Sequence, residues 1–148
     1  MANAFVIPRA AVTAAEEHRR LRDLLAQVEG AFGRSVPRAA SGPDVVAARL
    51  DTLRGPLGAH FEEEERARLF EEIEERAPEQ AHACARLRGE HDWLIRRLDS
   101  LRAASPEARR RPTWVGEVRT LLKDLTGHEQ RESDLLTRTL DGSIGAGD

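Results

Sequence analysis

Apolar residues recur three and four positions apart in four blocks of the chain, and the segments between the blocks carry glycine, proline and serine. That spacing puts the apolar positions on one face of an α-helix, so the pattern predicts four helices and no strand. Thr13 with Glu16 three residues later reads as a capping box, which starts helix 1 near Ala14 and runs it to about Val28, where Gly30 and Gly33 end it. Helix 2 begins near Pro43 or Asp44 and carries Val46, Leu50, Leu53 and Leu57 on one stripe to about Arg76. Gly55-Pro56 lies inside it and predicts a kink or break, because proline lacks the backbone donor and crowds the preceding turn. Helix 3 starts at Pro78 and reaches about Ala104, with Cys84, Leu87, His91, Leu94, Ile95, Leu98 and Leu101 on its stripe. Helix 4 follows Thr113, passes through Val118, Leu121, Leu122 and Leu125, and stops at Asp141-Gly142. Four such helices with short connections predict an all-α, up-down-up-down four-helix bundle over residues 1–141, followed by a flexible tail over 142–148.

Length fits that picture, since 148 residues with 40% apolar content suffice for one core and not for two. Charged residues make up 33% of the chain but nearly cancel, leaving a net charge of −3. No basic face therefore points to nucleic acid, and the short run "EARRRP" at 107–112 reads as a solvated loop. The opening "MANAFVIPRAAVTAA" lacks the layout of a signal peptide, and no stretch approaches a membrane span, so a cytoplasmic protein is expected. Phe5, Val6 and Ile7, ahead of helix 1, offer a surface for a homodimer. Cys84 is the only cysteine, which leaves no internal disulfide and no cysteine-based zinc site. Its place on the helix 3 stripe makes it a packing thiol, with a redox-responsive thiol as the alternative; Trp93 and Trp114 read as packing residues.

All but one of the histidines follow the same helical register as the leucines. Of the five, His18, His60, His91 and His128 fall one to a helix, each on its helix's apolar stripe, whereas His82 lies on the opposite side of helix 3 from His91. One buried histidine is usually a satisfied core residue. Four imidazoles turned into one bundle without a shared partner would strand several donors and acceptors. His60 has Glu64 four residues on, and His128 has Glu132 four residues on, so helices 2 and 4 each carry H-x-x-x-E on one face. A glutamate on an apolar stripe needs a positive partner, and a metal ion supplies one. Within "HFEEEERARLF", Glu62 points away from His60, while Glu63, three residues on, competes with Glu64 as an alternative ligand or supporting group. Four imidazoles and two carboxylates are too many for one tetrahedral ion and suit two ions of iron, manganese or zinc.

The segments "EEHRRLRDLL", "HFEEEERARLF", "GEHDWLIRRLDSL" and "HEQRESDLL", in that order, resemble the hemerythrin-like, or HHE cation-binding, family over about residues 10 to 141. The resemblance implies a four-helix bundle holding a non-haem di-iron centre with an oxo or hydroxo bridge. It makes His18, His60, His91 and His128 imidazole ligands, and Glu64 and Glu132 bridging carboxylates. Oxygen-carrying members have a further histidine paired on the third helix, but here Leu87 and Ile95 flank His91 and cannot coordinate. A more open site is implied, favouring peroxide, nitric oxide or iron chemistry over dedicated oxygen carriage. A ferritin-like di-iron site is not supported, because E-x-x-H occurs only at Glu79 to His82.

The tail "DGSIGAGD" reads as a frayed end, yet it also resembles the C-terminal cargo-loading peptides of encapsulin nanocompartments, with Ile144 as the apolar anchor for a shell groove. Three functions follow for comparison. The first is a di-iron protein that binds O2, H2O2 or NO at an open iron position, in oxidative-stress protection or iron handling, with a place inside an encapsulin shell. The second is a non-catalytic sensor or store for O2, NO or iron, and the third is a metal-free helical interaction module.

Overall fold

A computed structural model describes residues 9–32 and 42–145, with side chains over 16–32 and 42–141. Six helices and a 3-10 turn make up these residues: α1 Arg9–Gly30, α2 Pro43–Arg66, α3 Leu69–Arg76, the turn Pro78–Gln80, α4 Ala81–Arg102, α5 Pro106–Arg109 and α6 Pro112–Gly145. No strand occurs among them. The four long helices α1, α2, α4 and α6 form a square in which α1 and α4 each pack against both α2 and α6. This is the expected helical bundle, and it leaves α1 facing α4, and α2 facing α6, across the core.

Two apolar clusters fill the interior. The larger runs from Leu21, Leu25 and Val28 across Leu50, Leu98 and Val118, and is closed by Trp114, whose indole Nε1–H donates to the Leu101 carbonyl at 3.1 Å. The smaller holds Leu69, Phe70, Ile73, Cys84, Leu87 and Leu135. Cys84 is thus a buried thiol, as its stripe position implies, and burial pushes its pKa up to about 11. The polar residues described below lie on the same inward faces of the helices as these clusters. The structure therefore brings to the interior both the apolar stripe and the histidines that interrupt it.

The helices differ from the sequence expectation at several points. Helix α1 begins at Arg9, so Thr13 lies a turn inside it and does not cap it; the alanine-rich run from Ala10 to Ala15 extends the helix toward its start. Helix α2 passes through Pro56 without interruption, and the proline lies on the exposed side where water can reach the carbonyl it leaves unbonded. The break comes at Arg68 instead, a non-glycine residue in the left-handed region at φ 54°, after which α3 starts in a new direction. That turn lets Leu69, Phe70 and Ile73 bury, which a straight continuation of α2 with its "EEEERAR" run would not favour. The segment expected as a loop holds the single turn α5, capped by the Ser105 hydroxyl, which accepts from the Ala108 N–H at 3.2 Å.

Helix α6 continues past Asp141 to Gly145, so the backbone of 142–145 is helical. The side chain of Ile144 and residues 146–148 lie outside the described residues, as do Phe5, Val6 and Ile7. Trp93, expected to pack, is half-exposed with Arg97 over its ring at 4.5 Å. Among the described residues no helix is long and apolar enough to cross a membrane.

Candidate metal centre

His18 on α1, His60 and Glu64 on α2, His91 on α4, and His128 and Glu132 on α6 are all buried and meet at one level of the bundle. Each helix delivers its histidine because the residue sits in register with leucines three, four or seven positions away, so burying the leucines also buries the imidazole. Glu64 and Glu132 follow their histidines by four residues and land on the next turn of the same face.

The four Nε2 atoms turn inward onto the carboxylates. Glu64 directs Oε1 at His60 Nε2, in very close contact, and at His18 Nε2 at 3.5 Å, while its Oε2 lies 3.3 Å from His91 Nε2. Glu132 mirrors it, with Oε1 2.8 Å from His18 Nε2 and Oε2 3.2 Å from His128 Nε2. Each carboxylate therefore divides its oxygens: Glu64 turns one toward His18 and His60 and the other toward His91, and Glu132 turns one toward His18 and the other toward His128.

The Nδ1 atoms turn outward. His60 Nδ1–H donates to Glu17 Oε2 at 2.8 Å, and His128 Nδ1–H donates to Glu90 Oε2 at 2.7 Å; Arg131 in turn holds Glu90 Oε1 at 2.5 Å. A proton fixed on Nδ1 leaves the Nε2 lone pair free to bind a cation and sharpens its basicity. His18 Nδ1 lies 3.3 Å from the Ser133 hydroxyl, and His91 Nδ1 has only Glu65 at 3.9 Å, beyond hydrogen-bond reach. The His91 ring is held by packing instead, stacked on Phe61 with centroids 4.0 Å apart.

Glu129 is the residue that sequence reasoning missed. It is buried at 1% exposure on α6, with Oε2 3.2 Å from His18 Nε2 and Oε1 3.9 Å from His60 Nε2. Its signal was present in the chain, since Leu122 and Leu125 precede it by seven and four residues. Glu129 stands next to His128, outside the H-x-x-x-E spacing that marks Glu132. Glu63, the competitor to Glu64, instead bonds Arg66 at 2.7 Å on the surface, and Glu62 is exposed as its register required. His82 is likewise exposed.

Three buried carboxylates beside four imidazoles make an electrostatically strained cluster. Burial, reinforced by Glu132 and Glu129, pushes the Glu64 pKa up to about 10. Burial and Glu132 likewise raise Glu129. Burial works against charge on His18, but Glu132 and Glu64 outweigh it and raise the imidazole to about 9. Burial and the nearby His128 lower His91 to about 4. Protons must therefore occupy the cluster unless a cation does.

Hydrogen bonds do not satisfy the group. Of twelve buried side-chain nitrogen and oxygen atoms without a hydrogen-bond partner among the described residues, nine belong to His60, Glu64, His91, His128, Glu129 and Glu132. Such a concentration of orphaned lone pairs is costly in a packed interior, and a metal ion resolves it. Two groups have the spacing for cations: one ligand atom each from His18, His60, Glu129 and Glu132 lie within 4.8 Å of one another, as do those of His91, His128 and Glu132. Imidazole nitrogen mixed with carboxylate oxygen suits iron, manganese or zinc.

Comparison with known protein families matches residues 12–140 to the hemerythrin HHE cation binding domain. No curated protein and no solved structure matches the chain.

Proposed function

The chain belongs to the hemerythrin HHE cation-binding family, and from that premise we propose that it is a non-haem di-iron protein that takes O2, H2O2 or NO beside the metal pair, in oxidative-stress protection or iron handling. The observation that carries this reading is the splayed placement of Glu64 and Glu132, each with one oxygen toward His18 and the other toward the α4 or α6 histidine. A single cation would need only one oxygen of each. Two cations would draw on both, and Glu64, Glu132 and the four Nε2 atoms are the groups that would hold them.

Iron bound there supplies redox and Lewis-acid chemistry toward a small oxygen or nitrogen ligand. The protein's own part is positional. Glu17 and Glu90 keep the proton of His60 and His128 on Nδ1, so that Nε2 faces the metals. Phe61 and Phe70, with ring centroids 4.0 and 5.6 Å from that of His91, give that side of the imidazole an apolar lining and fix its ring by packing. The helix α4 positions on either side of His91 hold Leu87, which is buried, and Ile95, which packs against the core, so neither adds a ligand.

Metal analysis and an optical spectrum of protein produced in iron-rich medium test the reading. Two irons per chain with near-ultraviolet charge-transfer bands are expected; a chain isolated without iron and unable to take it up would overturn it. Peroxide consumption by the iron-loaded protein then separates turnover from a sensing or storage role.

A further inference from the structure

The bundle repeats itself. On α1 and α2 the order is Glu17-His18, then His60 and Glu64; on α4 and α6 it is Glu90-His91, then His128 and Glu132. The contacts repeat with it, as Glu17 holds His60 Nδ1 where Glu90 holds His128 Nδ1, and Ser133 stands near His18 Nδ1 where Glu65 stands near His91 Nδ1. Adding 68 to a residue number on α2 gives its counterpart on α6 in each of these pairs. Residue 61 thus corresponds to residue 129, and there the symmetry fails, because Phe61 is matched by Glu129.

Both side chains are buried and both cross to the opposite pair of helices. Phe61 stacks on His91 at 4.0 Å and meets His128 edge-on at 5.4 Å. Glu129 reaches His18 at 3.2 Å and His60 at 3.9 Å. One histidine pair is therefore backed by an apolar ring and the other by a carboxylate with neither oxygen hydrogen-bonded.

We infer that the two cation positions are unequal: the position between His18 and His60, which Glu129 adjoins, takes a divalent metal ion first and holds it more tightly than the position between His91 and His128. This rests on the two-metal reading above. With Glu64 and Glu132 shared, the first position has five protein side chains to draw on, His18, His60, Glu64, Glu129 and Glu132, and the second has four, His91, His128, Glu64 and Glu132. Charge points the same way. Assigning half of each shared carboxylate to each position leaves the first about two negative charges, enough to balance a dication, and the second about one. In a buried site of low effective dielectric that difference decides the order of filling. The position with fewer protein donors, beside His91 and Phe61, is then the one left open to a small ligand.

Titration of the metal-free full chain with Co(II), followed by calorimetry and by visible absorption, tests the inference. The unaltered chain should bind two Co(II) in two resolved steps, the first at least about tenfold tighter than the second. His91→Ala should lose the second step and keep the first, while His18→Ala should weaken the first. Glu129→Gln, close in shape to the native residue, should weaken the first step by about tenfold or more, so that the two merge. Circular dichroism checks that each variant is folded, and if Glu129→Gln is not, the unaltered chain with the two histidine variants decides the matter. Two Co(II) bound with equal affinity, a first step lost in His91→Ala, or folded Glu129→Gln with its steps still resolved would overturn the inference while leaving the two-metal reading in place. A chain that takes up no Co(II) would overturn both.

Discussion

Glu17 precedes His18 in the chain, yet its carboxylate bonds His60 on the next helix, 2.8 Å from Nδ1. The same crossing joins Glu90, which precedes His91, to His128 at 2.7 Å. Each E-H pair thus contributes an imidazole to the interior from its own helix and a carboxylate that orients the imidazole of a neighbouring one. If this orientation matters for metal binding, Glu17→Ala and Glu90→Ala should each lower metal affinity by about 10- to 100-fold while leaving the fold intact. Competition against a chelator of known affinity measures it, and unchanged affinity in both variants would show that packing alone holds the rings.

The inward register of Glu64 separates it from the other glutamates of its run. Glu64→Ala should leave the chain with well under two metal ions, whereas Glu62→Ala, on the exposed face, should bind metal like the unaltered protein. Metal content after dialysis distinguishes them. Equal content in the two variants would mean that helix register does not select the ligand.

The protons that stand in for the metal should show themselves in pH dependence. Without metal, Glu64 titrates near 10 and His18 near 9, both above their ordinary values, so the folded chain holds protons that the unfolded chain has released. Those two contributions to stability are present at low pH and are lost as pH rises, from about 4.5 to 10 for Glu64 and from about 6.5 to 9 for His18. His91, lowered to about 4, acts oppositely and costs stability as pH falls below its ordinary 6.5. Between pH 7 and 9 the first two prevail, and the urea midpoint of metal-free protein should fall as pH rises. Metal binding must displace the same protons, so metal affinity should rise over that window, with proton release detectable by calorimetry in buffers of different ionisation enthalpy. A metal-free midpoint that climbs from pH 7 to 9 would contradict this assignment.

The break between α2 and α3 is made at a strained residue. Arg68 holds φ 54°, ψ 40° with an exposed side chain, a conformation that costs a residue with a Cβ about 1 kcal/mol relative to glycine. Arg68→Gly should therefore raise the thermal midpoint by a few degrees without altering metal binding. A lowered midpoint would mean that the arginine side chain contributes more than its backbone strain costs.

Much of this was legible in the chain. The 3.6-residue period of leucines predicted four long helices, and the histidines at the same spacing predicted one inward imidazole per helix, because a helix that buries one face buries whatever stands on it. Glu64 and Glu132 followed from the same register. Other features depended on how the helices meet. Nothing local told that α2 would run through Pro56, since the cost of a proline depends on whether its side of the helix faces water. Nothing local placed the break at Arg68, which is justified by the burial of Leu69, Phe70 and Ile73 against other helices. Glu129 shares the register of Leu122 and Leu125, but it falls outside the H-x-x-x-E spacing that singles out Glu132. Only the packing of α6 against α1 revealed that its face is wide enough to bury Leu121, Leu122, Leu125, His128, Glu129 and Glu132 together. Periodicity along one helix determines which residues can turn inward; which partner each one meets is decided by the neighbouring helices, and for Phe61 and Glu129 that partner lies on the opposite pair.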